Sequence, residues 1–142
     1  WKTTMYDGGV RVPFMLRWPA MVKPGVSDAF VCQMDLLASF AGLLGQTYPD
    51  KLDSRNTLKA FLGKSKKGRE ELVIEGMFNY AYRKGDWALI PPYRKQTEYQ
   101  LYNLKEDIGQ KHNLADKYPK KVKELTDEFE ALKLSTGKKT RF

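Results

Sequence analysis

The feature that most limits how this chain can fold is a series of strand signals in its second half, separated by residues that suit only tight turns. Glu71–Gly76 carries Leu72-Val73-Ile74. Tyr80 and Tyr82 alternate with Ala81 and Arg83, and Trp87-Ala88-Leu89-Ile90 follows Lys84-Gly85-Asp86. A glycine between two such runs supplies the positive φ that a short hairpin connection demands, so the pattern predicts a β-hairpin. Pro91-Pro92 ends the ladder, because proline has no N–H to donate to it. Glu98–Leu104, with Tyr99, Leu101 and Tyr102, reads as one more strand. A sheet patterned in this way needs a cover. Pro119 suits a first helical turn, and Val122, Leu125, Phe129 and Leu132 form one apolar stripe among Lys and Glu. That stripe predicts a helix of roughly four turns across the sheet. Ser135–Phe142 reads as a frayed basic tail. The expected class is α+β: a small antiparallel sheet of about four strands under a long C-terminal helix.

In the first half, Val10, Val12, Phe14 and Leu16 alternate with Arg11, Pro13, Met15 and Arg17 after Gly8-Gly9, which predicts a strand over Val10–Leu16. Trp18-Pro19 and Pro24-Gly25 turn that strand into a loop. Asp35 is the expected N-cap of a helix reaching about Leu44, with Leu36, Leu37, Phe40, Ala41 and Leu44 at helical spacing and Gly45 in the left-handed position that closes it. Gln46–Arg69 is weaker: turn residues, a short helix near Thr57–Leu62, and the basic loop Gly63–Gly68. The chain therefore divides into 1–48 (strand and helix), 49–70 (linking loop and short helix) and 71–142 (sheet and helix).

Composition removes several classes. With 42% hydrophobic and 13% aromatic residues spread along its length, the chain has the material for a core and is not disordered by composition. It contains no run of about 20 apolar residues. Trp1–Arg17 carries Lys2, Asp7, Arg11 and Arg17 and lacks the apolar segment of a signal peptide, and a start directly on a strand-like pattern reads as a truncated N-terminus. Cys32, the only cysteine, allows no internal disulfide and reads as a core thiol. The net charge of +8 favours anionic partners, although Lys64–Arg69, Lys117–Lys123 and Lys138–Arg141 each read first as solvated faces.

A set of strings, taken in order, carries a resemblance. They are Lys2-Thr3-Thr4-Met5-Tyr6-Asp7-Gly8-Gly9-Val10-Arg11-Val12-Pro13 running on to Arg17-Trp18-Pro19; Val31–Gly45; Asp53–Gly63; Gly68-Arg69-Glu70 before Leu72-Val73-Ile74; Tyr82–Trp87; Tyr99–Asp107; and Asn113-Leu114-Ala115. Together they resemble the C-terminal portion of the arylsulfatase-like sulfatases of the alkaline phosphatase-like superfamily. The resemblance implies that the strand and helix of 1–48 close a larger α/β domain and that 71–142 is a C-terminal subdomain.

It also implies a sulfuric ester hydrolase acting on a sulfated glycan or an aryl sulfate. Such enzymes use a formylglycine made from a Cys/Ser-x-Pro-x-Arg motif and a calcium ion held by Asp and Asn, with lysines and histidines around the sulfate. Of that machinery only Lys2 carries over, as the lysine that contacts a sulfate oxygen; read alone, it is a solvated lysine. Cys32 is followed by Gln33-Met34-Asp35 and does not fit the formylglycine motif, and no Asp-Asp, Asp-Asn or Asp-His pair occurs. Ala88 and Ile108 stand where the family often has Lys and Pro. His112 reads as a surface residue, and Arg11 as a brace for the turn through a local carboxylate. Asn79, Tyr80, Tyr82 and Tyr93 are candidates for a sugar-binding rim, with sheet packing as the other reading.

The partners so implied are the N-terminal catalytic part of the sulfatase and a sulfated substrate, with neither nucleic acid nor membrane. The parent enzyme would be periplasmic or secreted. The chain by itself is expected to be inactive, and an exposed strand over Val10–Leu16 would favour self-association. The competing reading is a non-catalytic basic module for an anionic polymer, a polysaccharide or a single-stranded nucleic acid stacked on Tyr80, Tyr82, Tyr99 and Tyr102.

Overall fold

The computed structural model describes residues 4–49, 52–76 and 79–135. Its elements are α1 (Asp7–Val10), α2 (Asp35–Leu43), α3 (Leu58–Phe61), β1 (Glu71–Glu75), β2 (Tyr80–Lys84), β3 (Trp87–Ile90), β4 (Gln100–Asn103) and α4 (Pro119–Ser135). Two compact units result: the segment ending at Val12 together with the chain from Glu71 onward, and Pro13–Glu70.

In the first unit the strands form one antiparallel sheet in sequence order, β1-β2-β3-β4. The hairpin turn lies where the glycine requires it. Lys84 faces Trp87 across the turn, and Gly85 takes φ 55°. The ladder between β3 and β4 ends at the pair Ile90–Gln100, just before Pro91. Because side chains alternate across a strand, the sheet has two different faces. Tyr82, Leu89 and Leu101 point to one face and pack with Leu125 and Phe129 of α4. Ala81, Ala88, Ile90, Tyr102 and Leu104 occupy the other and pack with Met5.

On the helix side, the Tyr82 ring stacks on Phe129 at 5.9 Å, and its hydroxyl donates to Glu71 at 2.7 Å and Glu128 at 3.3 Å. Burial and these carboxylates push the phenol's pKa up, so it remains a neutral donor. The expectation of an α+β fold with a covering C-terminal helix is met.

In the second unit, α2 ends as its sequence requires. Gly45 takes φ 65°, and the Gln46 N–H donates to the Ala41 carbonyl at 2.9 Å. The role of Asp35 differs from the expected cap. Met34 holds the N-cap position without a side-chain bond, and Asp35 is the first helical residue. Its carboxylate turns inward, 0% exposed, and accepts from Arg69 Nε at 2.8 and 3.0 Å and from the Arg55 N–H at 2.8 Å. An inward carboxylate with a guanidinium partner is better satisfied there than at an exposed cap. Ser39 and Ser54 add side-chain bonds to the Thr57 and Ala38 N–H groups, both at 3.0 Å. The Arg69 N–H reaches the Phe30 carbonyl at 2.7 Å. A Cβ on Gly68 would strike that same carbonyl, so the basic loop needs glycine at this closing point. Cys32 is half-buried rather than deep in a core.

The predicted strand over Val10–Leu16 is absent. Asp7–Val10 forms a single helical turn, Arg11 is extended at φ −76°, ψ 122°, and the chain continues to Trp18 without joining a ladder. Alternation specifies an extended segment with two faces, but a strand also needs a hydrogen-bonded neighbour, and among the described residues none lies alongside. Apolar side chains stay open instead. Met15 is 91% exposed, and Leu37 and Phe40 of α2 and Leu44 at its C-cap are 59%, 49% and 71% exposed. At their spacing those three residues share one helix face, the kind of stripe that buries itself against a neighbour.

Candidate functional site

Lys2 lies outside the described residues. What is described is the fastening of the segment that follows it, Thr4–Asp7, to the sheet face opposite α4. Met5 is buried against Ala81, Ala88 and Tyr102. Tyr6 meets Tyr102 edge-on at 6.1 Å, and both hydroxyls donate to Gln100 Oε1, at 2.8 and 2.9 Å.

Asp7 is the polar centre of the fastening, 6% exposed. Its backbone N–H donates to Gln110 Oε1 at 2.5 Å, and its Oδ1 accepts from Arg83 Nη1 at 3.3 Å. Arg11 Nη1 stands 3.5 Å from Oδ2, so Arg11 braces the turn through a local carboxylate, as its position predicts. Burial lowers the Arg83 pKa from its usual value, and the Asp7 charge opposes that. Gln110 is itself buried and holds φ 51°, a left-handed conformation that glutamine adopts at a cost. Buried charge and local strain thus converge on holding Asp7.

Burial, followed by Tyr6, pushes the Tyr102 phenol up to about 12. A raised pKa means that the neutral phenol is favoured in the fold. Its contribution to stability is fully present below the ordinary value of 10.0 and is lost as pH rises through about 12. The tyrosinate absorbance step near pH 12 should therefore vanish in Tyr102→Phe. A Tyr102→Phe protein that keeps that step would contradict the assignment.

The structure separates the four candidate rim residues. Tyr82 is 0% exposed beneath α4 and does not form a rim; Tyr80 shares its face and packs on Phe129 at 6.1 Å. Both residues have the strand parity that the helix covers. Asn79 and Tyr93 instead gather at the loop after β3. Asn79 Nδ2 donates to the Pro91 carbonyl at 3.2 Å and lies 3.5 Å from Gln96 Oε1, and Tyr93 pairs with Gln96. Tyr6 and Tyr102 meet on the sheet face that Met5 covers, with Gln100 between their hydroxyls. Gln100 and Tyr102 share one parity on β4, a signal present in the sequence but unusable until the sheet's faces are known.

His112 lies at the surface, 81% exposed and 3.5 Å from Asp107. Asp107 accepts the His112 and Lys111 N–H groups at 2.8 Å each, and these bonds lower its pKa. Among the described residues no group of three or more His, Cys, Asp or Glu could hold a metal ion. No helix among them is long and apolar enough to cross a membrane.

Comparison with known proteins places this arrangement. The family model described as N-sulphoglucosamine sulphohydrolase, C-terminal, matches residues 1–135. N-acetylgalactosamine-6-O-sulfatase of Bacteroides thetaiotaomicron is 37% identical, over 93% of this chain and 29% of the relative. Arylsulfatase A of Bos taurus is 28% identical, over 94% and 32%. A solved structure described with the metabolism of multiple glycosaminoglycans by Bacteroides thetaiotaomicron superposes with a TM-score of 0.84 at 35% identity, over 93% of this chain and 31% of that one. Another, in complex with its substrate D-glucosamine-2-N,6-O-disulfate, gives 0.78 at 25% identity, over 98% and 31%. The chain thus spans under a third of the length of each of these relatives. By the family match over residues 1–135, and by the superposition of its fold on a solved relative along nearly its whole length, the chain belongs to the sulfatase C-terminal family.

Proposed function

We propose that this chain is the C-terminal region of an enzyme that hydrolyses sulfate esters on glycans. In that reading it supplies Lys2 and one wall of the substrate cleft, and the rest of the protein supplies the nucleophile. The observation that carries it is the fastening of Thr4–Asp7 to the sheet, which holds the residues just after Lys2 by buried contacts on one side. A lysine that places its ammonium at a sulfate oxygen needs a fixed backbone behind it, because its stem is flexible. The names of the relatives favour a sulfated amino sugar as the reacting unit.

Family resemblance implies a formylglycine and a calcium ion in the parent enzyme. The residues described here do not form that calcium site, so no step is assigned to calcium on this chain. Lys2 neutralises charge on the sulfate as it is transferred, a task in which a preorganised cation in a water-poor site has its largest effect. The open apolar stripe of Leu37, Phe40 and Leu44 is the docking face for the N-terminal catalytic part.

The competing single-stranded nucleic acid module is weakened by Tyr82 and Tyr102, both buried and so closed to stacking bases.

The test compares sulfate release by the whole protein and by the 142-residue chain, on 6-O-sulfated N-acetylhexosamine with calcium present, read by ion chromatography. The whole protein should release sulfate and the chain alone should not. Release by the chain alone overturns the reading, and so does a whole protein inert on sulfated glycans and aryl sulfates alike.

A further inference from the structure

Beside β4, on the side of the sheet that carries Tyr6, lies a cleft of about 350 Å³ whose lining includes Lys95, Thr97, Glu98, Gln100 and Tyr102. That volume is near the lower end of the range of about 300–1,000 Å³ typical of small-molecule sites, enough for one compact ligand. Lysine, glutamate, threonine and amide groups select a ligand that is itself dense in donors and acceptors.

Gln100 is the most constrained of these groups. Its Oε1 receives the Tyr6 and Tyr102 hydroxyls, at 2.8 and 2.9 Å, which fixes the amide plane and leaves the two Nε2 donors for another partner. Asn113, also in the wall, is already committed. Its oxygen accepts the Leu101 and Ala115 N–H groups at 2.9 and 3.0 Å, and its amide donates to the Tyr99 carbonyl at 3.1 Å. The Gln96 amide donates to the Glu98 carbonyl and shapes the loop. Among the described residues, no partner is seen for the Lys95 ammonium, the Thr97 hydroxyl or the Glu98 carboxylate, and these residues line the cleft together with Gln100.

We infer that this cleft is a subsite for an anionic pyranose adjoining the sugar unit that is desulfated. Gln100 Nε2, Thr97 and Glu98 bind its hydroxyls, and Lys95 binds its carboxylate or sulfate. The inference rests on the proposed sulfatase reading. A pyranose presents several hydroxyls, each both donor and acceptor, and the mixed lining answers them; a lone anion would not use Glu98. Tyr6 ties the cleft to the reaction. It stands only four positions after Lys2, at most about 14 Å of extended chain, so a sugar in the cleft belongs to the same short oligosaccharide. Because the two tyrosines hold the Gln100 amide before a ligand arrives, binding there does not have to order it.

The test uses the whole protein and its Lys95→Ala and Gln100→Ala variants. In each variant, KM for a uronate-containing sulfated tetrasaccharide should rise about tenfold more than KM for a chromogenic aryl sulfate, which is too small to reach the cleft. Lys95→Arg should recover part of that loss. An equal change for both substrates would show a merely structural role and overturn the subsite, and so would no change for the tetrasaccharide. Lys95 is exposed, so its variant keeps the test decisive if Gln100→Ala fails to fold. Calorimetry with an unsulfated uronate–hexosamine disaccharide separates this inference from the sulfatase reading. If the disaccharide binds the parent protein and binds the variants about tenfold more weakly, the subsite stands even in a protein inert on every sulfate ester. If the parent does not bind it, the subsite is wrong even where sulfate is released.

Discussion

Asp35→Ala should destabilise the fold of the Pro13–Glu70 unit by about 3–5 kcal/mol, the penalty for leaving a buried charge unpaired. Asp35 is 0% exposed and the Arg69 side chain 5%, so the guanidinium left behind could not recover its hydration without local unfolding. The carboxylate also accepts the Arg55 N–H, and Arg69 donates to the Asp53 carbonyl, so one substitution disturbs both ends of the loop that closes on α2. Asp35→Asn keeps an acceptor for Arg55 but removes the charge, so it should still lose much of that stability. Replacing both partners with apolar residues of similar size, Asp35→Leu with Arg69→Met, should cost far less than either single change. Urea denaturation combined with hydrogen exchange at the α2 amides would measure this. Single and double variants of equal stability would show that the pair is not buried as a unit.

Lys2→Ala should reduce kcat for sulfate ester hydrolysis by the whole protein by about 10²–10³-fold, the usual effect of removing one preorganised charge-stabilising group. Its global stability should barely change. Lys2→Arg should recover only part of the rate, because a planar guanidinium presents its donors differently from a compact ammonium. Loosening the anchor is a milder lesion. Gln110→Ala removes the acceptor of the Asp7 N–H and should lower activity less than loss of the ammonium itself.

The parts of the fold that could be read from sequence are those set by local chemistry. Gly85 and Pro91-Pro92 punctuate the hairpin because one supplies a positive φ and the others end a ladder. Pro119 and the Val122, Leu125, Phe129, Leu132 stripe specify α4, and Gly45 closes α2. Each of these signals acts within a few residues. Val10–Leu16 joins no ladder among the described residues because alternation describes one segment, whereas a strand is a relation between two. Asp35 was misplaced for the same reason. A cap is a local arrangement, but the partner that turns this carboxylate inward is Arg69, 34 residues on.

The candidate site was legible in its motif and obscure in its geometry. Lys2 and the Asp7-Gly8-Gly9 turn stand out in the sequence, yet nothing local indicates that Asp7 pairs with Arg83 or that Gln110 reaches back to it. Tyrosine parity shows the problem most clearly. Tyr80, Tyr82 and Tyr102 are equivalent by residue type, and strand alternation separates them onto two faces. Only register and the position of α4 reveal that Tyr82 faces the helix while Tyr102 faces Met5 and Tyr6. The same register brings Gln100 beside Tyr6, a contact 94 residues apart in the chain.

Under this proposal the chain contributes a sulfate-contacting lysine to an active site completed elsewhere in the protein. Single-turnover sulfate release from a 6-O-sulfated N-acetylhexosamine, by the whole protein and by its Lys2→Ala variant at saturating substrate and calcium, tests it most directly. The parent protein should release sulfate, and the variant should do so about 10²–10³-fold more slowly, with its thermal unfolding unchanged. A Lys2→Ala protein that releases sulfate at the parent's rate would contradict it.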